Sequence, residues 1–446
     1  MPEDAAATEI SATRARLIVA AWLCGLSGIL YLDRICMGQA VVPIQKELKL
    51  SNTQMSYVLM SFTLAYGLFA VPVGRWGDKS GPRSVLAQIV FAWSVFTAMT
   101  GAATGIVTLI CVRFLFGAAE AGAYPNTAKV LSRWFPLHER GRVQGFLLAF
   151  SQLGAVVAPA ATAQLIGQVG WRWVFVIYGA VGVFWAIGFW WWFRDNPATH
   201  PRVNAKELAH IHATTAPTQQ AADPGPVPWD RVVRNRGIIV LSCIMVCGAF
   251  YTYFFYSWFQ KYLNATRGVE NVEAGNLTSL VMAGSAVGML IGGWLADSFP
   301  KWTANPVAAR RYLGVACYLI AAASLFAGVR CDNALSLATL WGISFCAMHI
   351  TLPNWWSCAI PQAGKHTGAL FGLMNGLGVF GAMASQGFVG FFADWRARNG
   401  FTGRDAWDPI FDVYVAVLLL NAIAWWLYRW TPLEDETATT LSEGAK

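Results

Sequence analysis

Charge is scarce in this sequence. Asp, Glu, Lys and Arg supply 13% of its 446 residues, against roughly 25% in soluble domains. A chain so poor in charge, with 56% hydrophobic residues and 22 Trp, reads as an integral membrane protein of the lipid bilayer. Signatures of chemistry are missing too. No G-x-x-x-x-G-K-[ST] occurs, so ATP is not expected as a direct energy source. Neither H-E-x-x-H nor G-x-S-x-G is present, and an enzyme is not expected. The nine Cys form no C-x-x-C pair and read as small packing residues. His200, His210 and His212 do not have the spacing of a metal-ligand set, so no metal or other cofactor is expected. The net charge of +8 would suit nucleic acid, but there is no basic stripe with interleaved aromatics. In a membrane protein that balance reflects Lys- and Arg-rich cytoplasmic loops. The opening MPEDAAATEISATRAR carries no cleavable-signal pattern, so the first apolar run is expected to stay as a helix.

What is present is a series of apolar runs near the spanning length of about 20 residues. They fall at about 17–40, 54–76, 84–104, 106–132, 143–167, 172–193, 237–262, 276–299, 310–329, 334–358, 366–393 and 409–430. Alternating segments of the kind a barrel needs are lacking, so the expected class is all-α. With a cytoplasmic N-terminus, Lys and Arg favour the inside connections over the outside ones by about two to one. The reading is twelve transmembrane helices in a cell (inner or plasma) membrane, with both termini cytoplasmic. The expected organisation is a tail over 1–16, a six-helix bundle over 17–193, a cytoplasmic linker over 194–236, a second bundle over 237–430 and a tail over 431–446. In the linker, Asn204 with Glu207 three residues on predicts a short capped helix on the membrane surface.

The two halves echo each other. GRWGDKSGPR (74–83) follows the second run, and GGWLADSFPK (292–301) follows the eighth. Gly141 and Gln152 stand at the same spacing in the fifth run as Gly364 and Asn375 in the eleventh. YPN (124–126) is matched loosely by LPN (352–354). Duplicated six-helix units are the sequence mark of transporters that rock two halves about a central site. In the first turn, Gly74, Asp78, Gly81 and Arg83 hold the fixed positions of G-x-x-x-D-x-x-G-x-R. Glycines permit a tight cytoplasmic turn there, and the charges can make and break ion pairs between states.

Ionisable residues inside the runs carry the functional argument. YLDR places Asp33 and Arg34 in the first run; RFLFGAAEAGAYPN places Arg113 and Glu120 about two helical turns apart on one face of the fourth. At 1.5 Å per residue, Asp33 lies about 24 Å up the first helix, level with Arg113, and Glu120 sits about 10 Å deeper. An Asp33–Arg113 ion pair is therefore expected. Arg34 points about 100° away from Asp33 and is left without an obvious partner. Low dielectric favours the neutral form of a carboxyl, which makes Asp33 and Glu120 candidate proton carriers. The planar fork of Arg34 suits a carboxylate substrate. Gln152 and Asn375 are candidate hydroxyl readers, and Tyr31, Tyr66, Trp355 and Trp356 candidate walls of the cavity. His349 reads as a hydrogen-bonded packing residue.

Six strings together carry a family resemblance: YLDR, GRWGDKSGPR, RFLFGAAEAGAYPN, WFPLHERGR, GWRWVFVIYG and DNPATHPRVNAKELAHI. The chain resembles the major facilitator superfamily over nearly its whole length, and within it the anion:cation symporters, which include galactonate, hexuronate and phthalate carriers. The resemblance implies a monomer that takes up an organic anion, a sugar acid first of all, with protons by alternating access. It implies protonation at Asp33 and Glu120, coupling through Arg113, and substrate contacts from Arg34, Tyr31, Tyr66, Gln152, Trp355 and Asn375. One departure is WFQKYL (258–263), where the family usually has Pro at the position of Gln260. An aromatic or small dicarboxylate, anion exchange, or a membrane sensor that moves nothing are the alternative readings.

Overall fold

The structure is a computed structural model that describes residues 12–212, 226–303, 305–431 and Leu433; the side chains of Asp78, Trp302 and Lys365 lie outside the described residues. All regular elements among the described residues are helical. A first set comprises α1 (Ala15–Leu48), α2 (Asn52–Ser80), α3 (Pro82–Gly101), α4 (Ile106–Glu120), α5 (Ala123–Trp134) and α6 (Leu137–Trp192). Two short helices follow, α7 (Ala205–His212) and α8 (Trp229–Val232). The second set comprises α9 (Arg236–Ser257), α10 (Phe259–Arg267), α11 (Asn271–Ser298), α12 (Pro306–Val329), α13 (Ala334–Ala363), α14 (Thr367–Arg398), α15 (Gly403–Trp407) and α16 (Ile410–Leu427). Among the described residues, eleven helices or merged helical stretches are long and apolar enough to cross a membrane.

α6 has 56 residues, about 84 Å if straight, which is nearly three hydrocarbon thicknesses. It is divided at Gly170, whose φ of 80° and ψ of 157° are non-helical and open only to a residue without Cβ. The chain reverses there: Gly154 packs on Gly28 and Tyr31 of α1, and beyond the break Trp185 packs on Trp22 of the same helix. The fourth apolar run also breaks, between α4 and α5 at Ala121–Gly122. At WFQKYL the helix breaks without the proline: Trp258, with φ −124° and ψ −14°, separates α9 from α10.

The linker helix forms where its cap predicts. Asn204 Oδ1 accepts from the Glu207 backbone N–H at 2.9 Å. Glu207 does something the sequence did not suggest. Its carboxylate, fully buried, accepts from the Thr13 hydroxyl at 2.5 Å and the N–H groups of Ala15 and Arg16 at 3.1 and 3.0 Å. It thus satisfies the free donors at the start of α1, where a helix favours negative charge. α7 is docked on the first set rather than merely resting on a surface. His200 is buried between Trp134 and Trp192, with Nε2 3.1 Å from the Trp192 carbonyl, and burial pushes its pKa below the ordinary value.

Hydrogen bonds between the two sets cluster at the end where α1 finishes. Asp394 of α14 accepts from the backbone N–H groups of Asn52 and Thr53, at 3.2 and 2.7 Å, and from Asn52 Nδ2 at 2.8 Å, so it caps the first turn of α2 from the other half. One layer below, Ser56 donates to the Gln386 carbonyl at 2.9 Å and Thr63 donates to its side-chain oxygen at 2.9 Å. The Ala160 N–H donates to Ser279 at 3.0 Å. At the opposite end α6 and α14 look onto open space: a Cβ at Gly141, Gly145, Gly368 or Gly372 would meet nothing within 4 Å. Asp394→Ala is expected to loosen the closed end by about the 0.5–2 kcal/mol of a lost helix cap. Hydrogen exchange followed by mass spectrometry should show faster exchange confined to the start of α2 and the end of α14; unchanged exchange there would remove Asp394 from the seal.

Candidate substrate and proton site

Four ionisable side chains meet in the first set, near the seam with the second. Asp33 and Arg34 come from α1, Arg113 and Glu120 from α4, and three of them are 1–2% exposed. Arg34 is hardly more exposed, at 10% for its side chain. They act on one another electrostatically, with Cys36 in the same cluster.

Two sequence-based pairings need correction. Arg34 is not left over: its Nε donates to Glu120 Oε1 at 2.9 Å, and its Nη2 donates to the same oxygen. Nor does Asp33 pair directly with Arg113. Both Asp33 carboxylate oxygens and Arg113 Nε are buried without a hydrogen-bond partner, and the Arg113 guanidinium lies 4.4 Å from the Phe116 ring centroid and 5.0 Å from that of Phe62. One rule accounts for both differences. Side chains lean toward the N-terminus of their own helix, and α1 and α4 run antiparallel. Asp33 and Arg113, expected at one level from their positions in sequence, therefore lean apart. Arg34 and Glu120, at different levels, lean toward each other, and the long arginine closes the gap.

Arg34 is walled by aromatic rings, with its guanidinium carbon 4.8 Å from the Tyr66 centroid, 5.6 Å from Tyr31 and 5.5 Å from Phe62. Phe62 thus lies against both arginines. A cavity of about 10 Å³, room for about one water, adjoins Arg34 and Arg113 and is closed from the second set by Tyr253, Tyr256, Ser257 and Gln386. The second carboxylate oxygen of Glu120 has no partner. The site therefore holds one engaged acid, one unengaged acid and two buried guanidinium groups.

The other expected contacts are distributed unevenly. Tyr31 and Tyr66 stand at the site as half-buried walls. Gln152 is buried and its amide donates to Ser285 of α11 at 3.2 Å, so it joins the halves. Asn375 is exposed on α14. Trp355 lies in the core in this conformation: it is 2% exposed, and its indole N–H donates to the Leu241 carbonyl at 3.0 Å. Its neighbour Trp356 is 42% exposed and stacks on Phe371, because adjacent helix positions point about 100° apart. His349 bonds through Nδ1 to the Phe345 carbonyl of its own helix at 2.8 Å.

The turn after α2 is fastened inside the first set. Gly81 has φ 78°, and a Cβ there would overlap the Asp195 carboxylate. The Arg83 backbone N–H donates to Asp195 at 2.9 Å, and its Nε and Nη2 donate to the Trp190 carbonyl at 3.0 and 2.6 Å. Gly74 offers its carbonyl to Lys129 Nζ at 2.6 Å. The side chain of Asp78 lies outside the described residues. Asp195, Gln386, Asp394 and Phe62 were not singled out in the sequence. Gln386 and Asp394 carry a retrospective signal, being an amide and an acid in a long run rich in small and apolar residues.

The sequence profile described as Major Facilitator Superfamily matches residues 23–386. A Cupriavidus necator protein named "Probable sulfoacetate transporter SauU" is 30% identical over 415 residues, covering 92% of this chain and 93% of that protein. The D-galactonate transporter of Escherichia coli O6:H1 is 26% identical, with 89% of this chain and 91% of that protein covered. The hexuronate transporter of Bacillus subtilis is 25% identical, with 83% and 86% covered. Among solved structures, a bacterial homologue of the human lysosomal transporter Spinster, in an inward-facing and occupied conformation, superposes with a TM-score of 0.77. It is 20% identical and covers 95% of this chain and all of that one.

Proposed function

This chain belongs to the Major Facilitator Superfamily, a multi-pass membrane protein and a transporter rather than an enzyme, and from that premise we propose that it couples uptake of a small organic anion to protons by alternating access. The observation that carries the proposal is the Arg34–Glu120 pair. Arg34 is the natural receptor for a carboxylate, and Glu120 occupies it. An anion can take Arg34 only if Glu120 gives up its negative charge, because two anions on one buried guanidinium leave a charge unpaired in low dielectric. Protonating Glu120 does this, so proton and anion enter together. Asp33, buried without a partner beside Arg113, is the second proton station, and Arg113 links the two acids.

We count α6 as two passes, hence twelve crossings, and the positive-inside bias favours both termini in the cytoplasm. The end held by Asp394 and Gln386 is then the outer one. Several relatives are named for sugar acids, and a sugar acid is the first substrate class proposed here. A more compact anion is the second reading, for two reasons. Gln152 is already engaged with Ser285 and Trp355 is turned away, which leaves fewer groups to read hydroxyls, and the 30% identical relative is named for sulfoacetate.

The test is uptake by the purified protein in liposomes with an imposed pH gradient, using galactonate, glucarate, glucuronate and sulfoacetate. At least one should accumulate when the outside is acidic. A sensor accumulates none of them, and an exchanger needs internal anion and ignores the pH gradient. Asp33→Asn is expected to keep anion exchange across the membrane while losing accumulation driven by the pH gradient. Full gradient-driven accumulation by this variant would remove Asp33 from the proton path.

A further inference from the structure

The linker helix meets the first set at a cluster unrelated to transport. His138 and Glu139 lie in the first turn of α6, and His210 in the last turn of α7. His210 Nε2 is 2.9 Å from Glu139 Oε1, and His138 Nε2 is 4.0 Å from the same oxygen. One donor atom from each of the three residues lies within 4.8 Å of the others. We propose that His138, Glu139 and His210 bind one divalent transition-metal ion of the zinc type, which fastens α7 to the start of α6. The proposal goes beyond the transport reading and does not depend on it.

Two imidazoles and a carboxylate are a recognised three-ligand set that leaves a fourth position for water. Bonds of 2.0–2.2 Å in a tetrahedron put donors about 3.3–3.6 Å apart, and the observed 2.9 and 4.0 Å lie on either side of that. Rotation of the His138 side chain, 59% exposed, closes the 4.0 Å separation, and a small turn of the Glu139 carboxylate opens the 2.9 Å one to His210.

The neighbouring charges favour a cation. Glu139 also accepts from Arg16, with Nε at 3.1 Å on Oε2 and Nη2 at 3.4 Å on Oε1. Arg16 is shared with the buried carboxylate of Glu207, at 3.4 Å. Two carboxylates face one guanidinium, so with neutral imidazoles the cluster holds one formal negative charge. Oε2 can remain on Arg16 while Oε1 turns to the ion. The sequence could not show this site, because His138 and His210 are brought together only when α7 docks, and the linker histidines by themselves have the wrong spacing.

The experiment is a calorimetric titration of the purified full-length protein, stripped of any polyhistidine tag, with zinc chloride. The expected result is one saturable site per chain and a melting temperature that rises with zinc. His138→Ala and His210→Ala should each lose the saturable site and the zinc-dependent rise, and His138→Ala should melt at the unmodified temperature without zinc. His212→Ala, at an exposed residue of the same helix, should bind as the unmodified protein does. Binding that survives in both the His138 and His210 variants, or no saturable binding in the unmodified protein, overturns the proposal.

Discussion

Glu120→Gln is expected to bind the transported anion at least as tightly as the unmodified protein and to accumulate none of it. In the unmodified protein the anion must displace Glu120 from Arg34, and the 2.9 Å contact shows how fully that guanidinium is engaged. Glutamine has nearly the same shape but no charge, so it leaves Arg34 with an uncompensated positive charge in a buried site. Losing one partner of a buried pair costs roughly 3–5 kcal/mol of stability. An arriving carboxylate restores much of this, so the anion should raise the melting temperature of the variant more than that of the unmodified protein. Coupling fails because no proton is exchanged at this position when the anion binds. In liposomes the internal anion should reach the external concentration and stop there, whatever the pH gradient. Accumulation above that level by Glu120→Gln would show that the proton travels elsewhere.

Arg34→Ala gives the opposite phenotype, with affinity lost by on the order of a hundredfold or more, the range expected when one member of a buried hydrogen-bonded charge pair is truncated. Two losses combine. The substrate loses its charge-assisted fork, and Glu120 is left as an isolated buried acid. Arg34→Lys separates these effects, because lysine keeps the charge but presents a point donor rather than a planar fork. Binding by thermal shift or calorimetry should therefore rank unmodified protein above Lys above Ala. Equal affinity in Arg34→Ala and the unmodified protein would remove Arg34 from the substrate site.

The helical class was legible because spanning runs of about 20 apolar residues leave few alternatives. The identity of the four charged residues was legible too, because ions inside such runs are costly and few. Their pairing was not. The depth estimate set Asp33 beside Arg113 from position along each helix alone, and it ignored the lean of side chains along antiparallel helices. That omission exchanged an engaged arginine for a free one. Trp355 and Trp356 show the same limit at finer scale: adjacent positions in one run face different surroundings, and only the packing of α13 on α9 decides which ring is buried. The Asp394 clasp was beyond reach for a different reason. Asn52 and Asp394 are far apart in sequence, and nothing local to either announces that a carboxylate of α14 will cap α2.

The central claim is that substrate and Glu120 compete for Arg34, so binding the anion requires a proton. Calorimetric titration of one anion in two buffers of different ionisation enthalpy measures the protons taken up on binding. The unmodified protein is predicted to take up close to one proton per anion near neutral pH, and Glu120→Gln to take up markedly less. Equal proton uptake in the two proteins, or none in the unmodified one, would contradict the account.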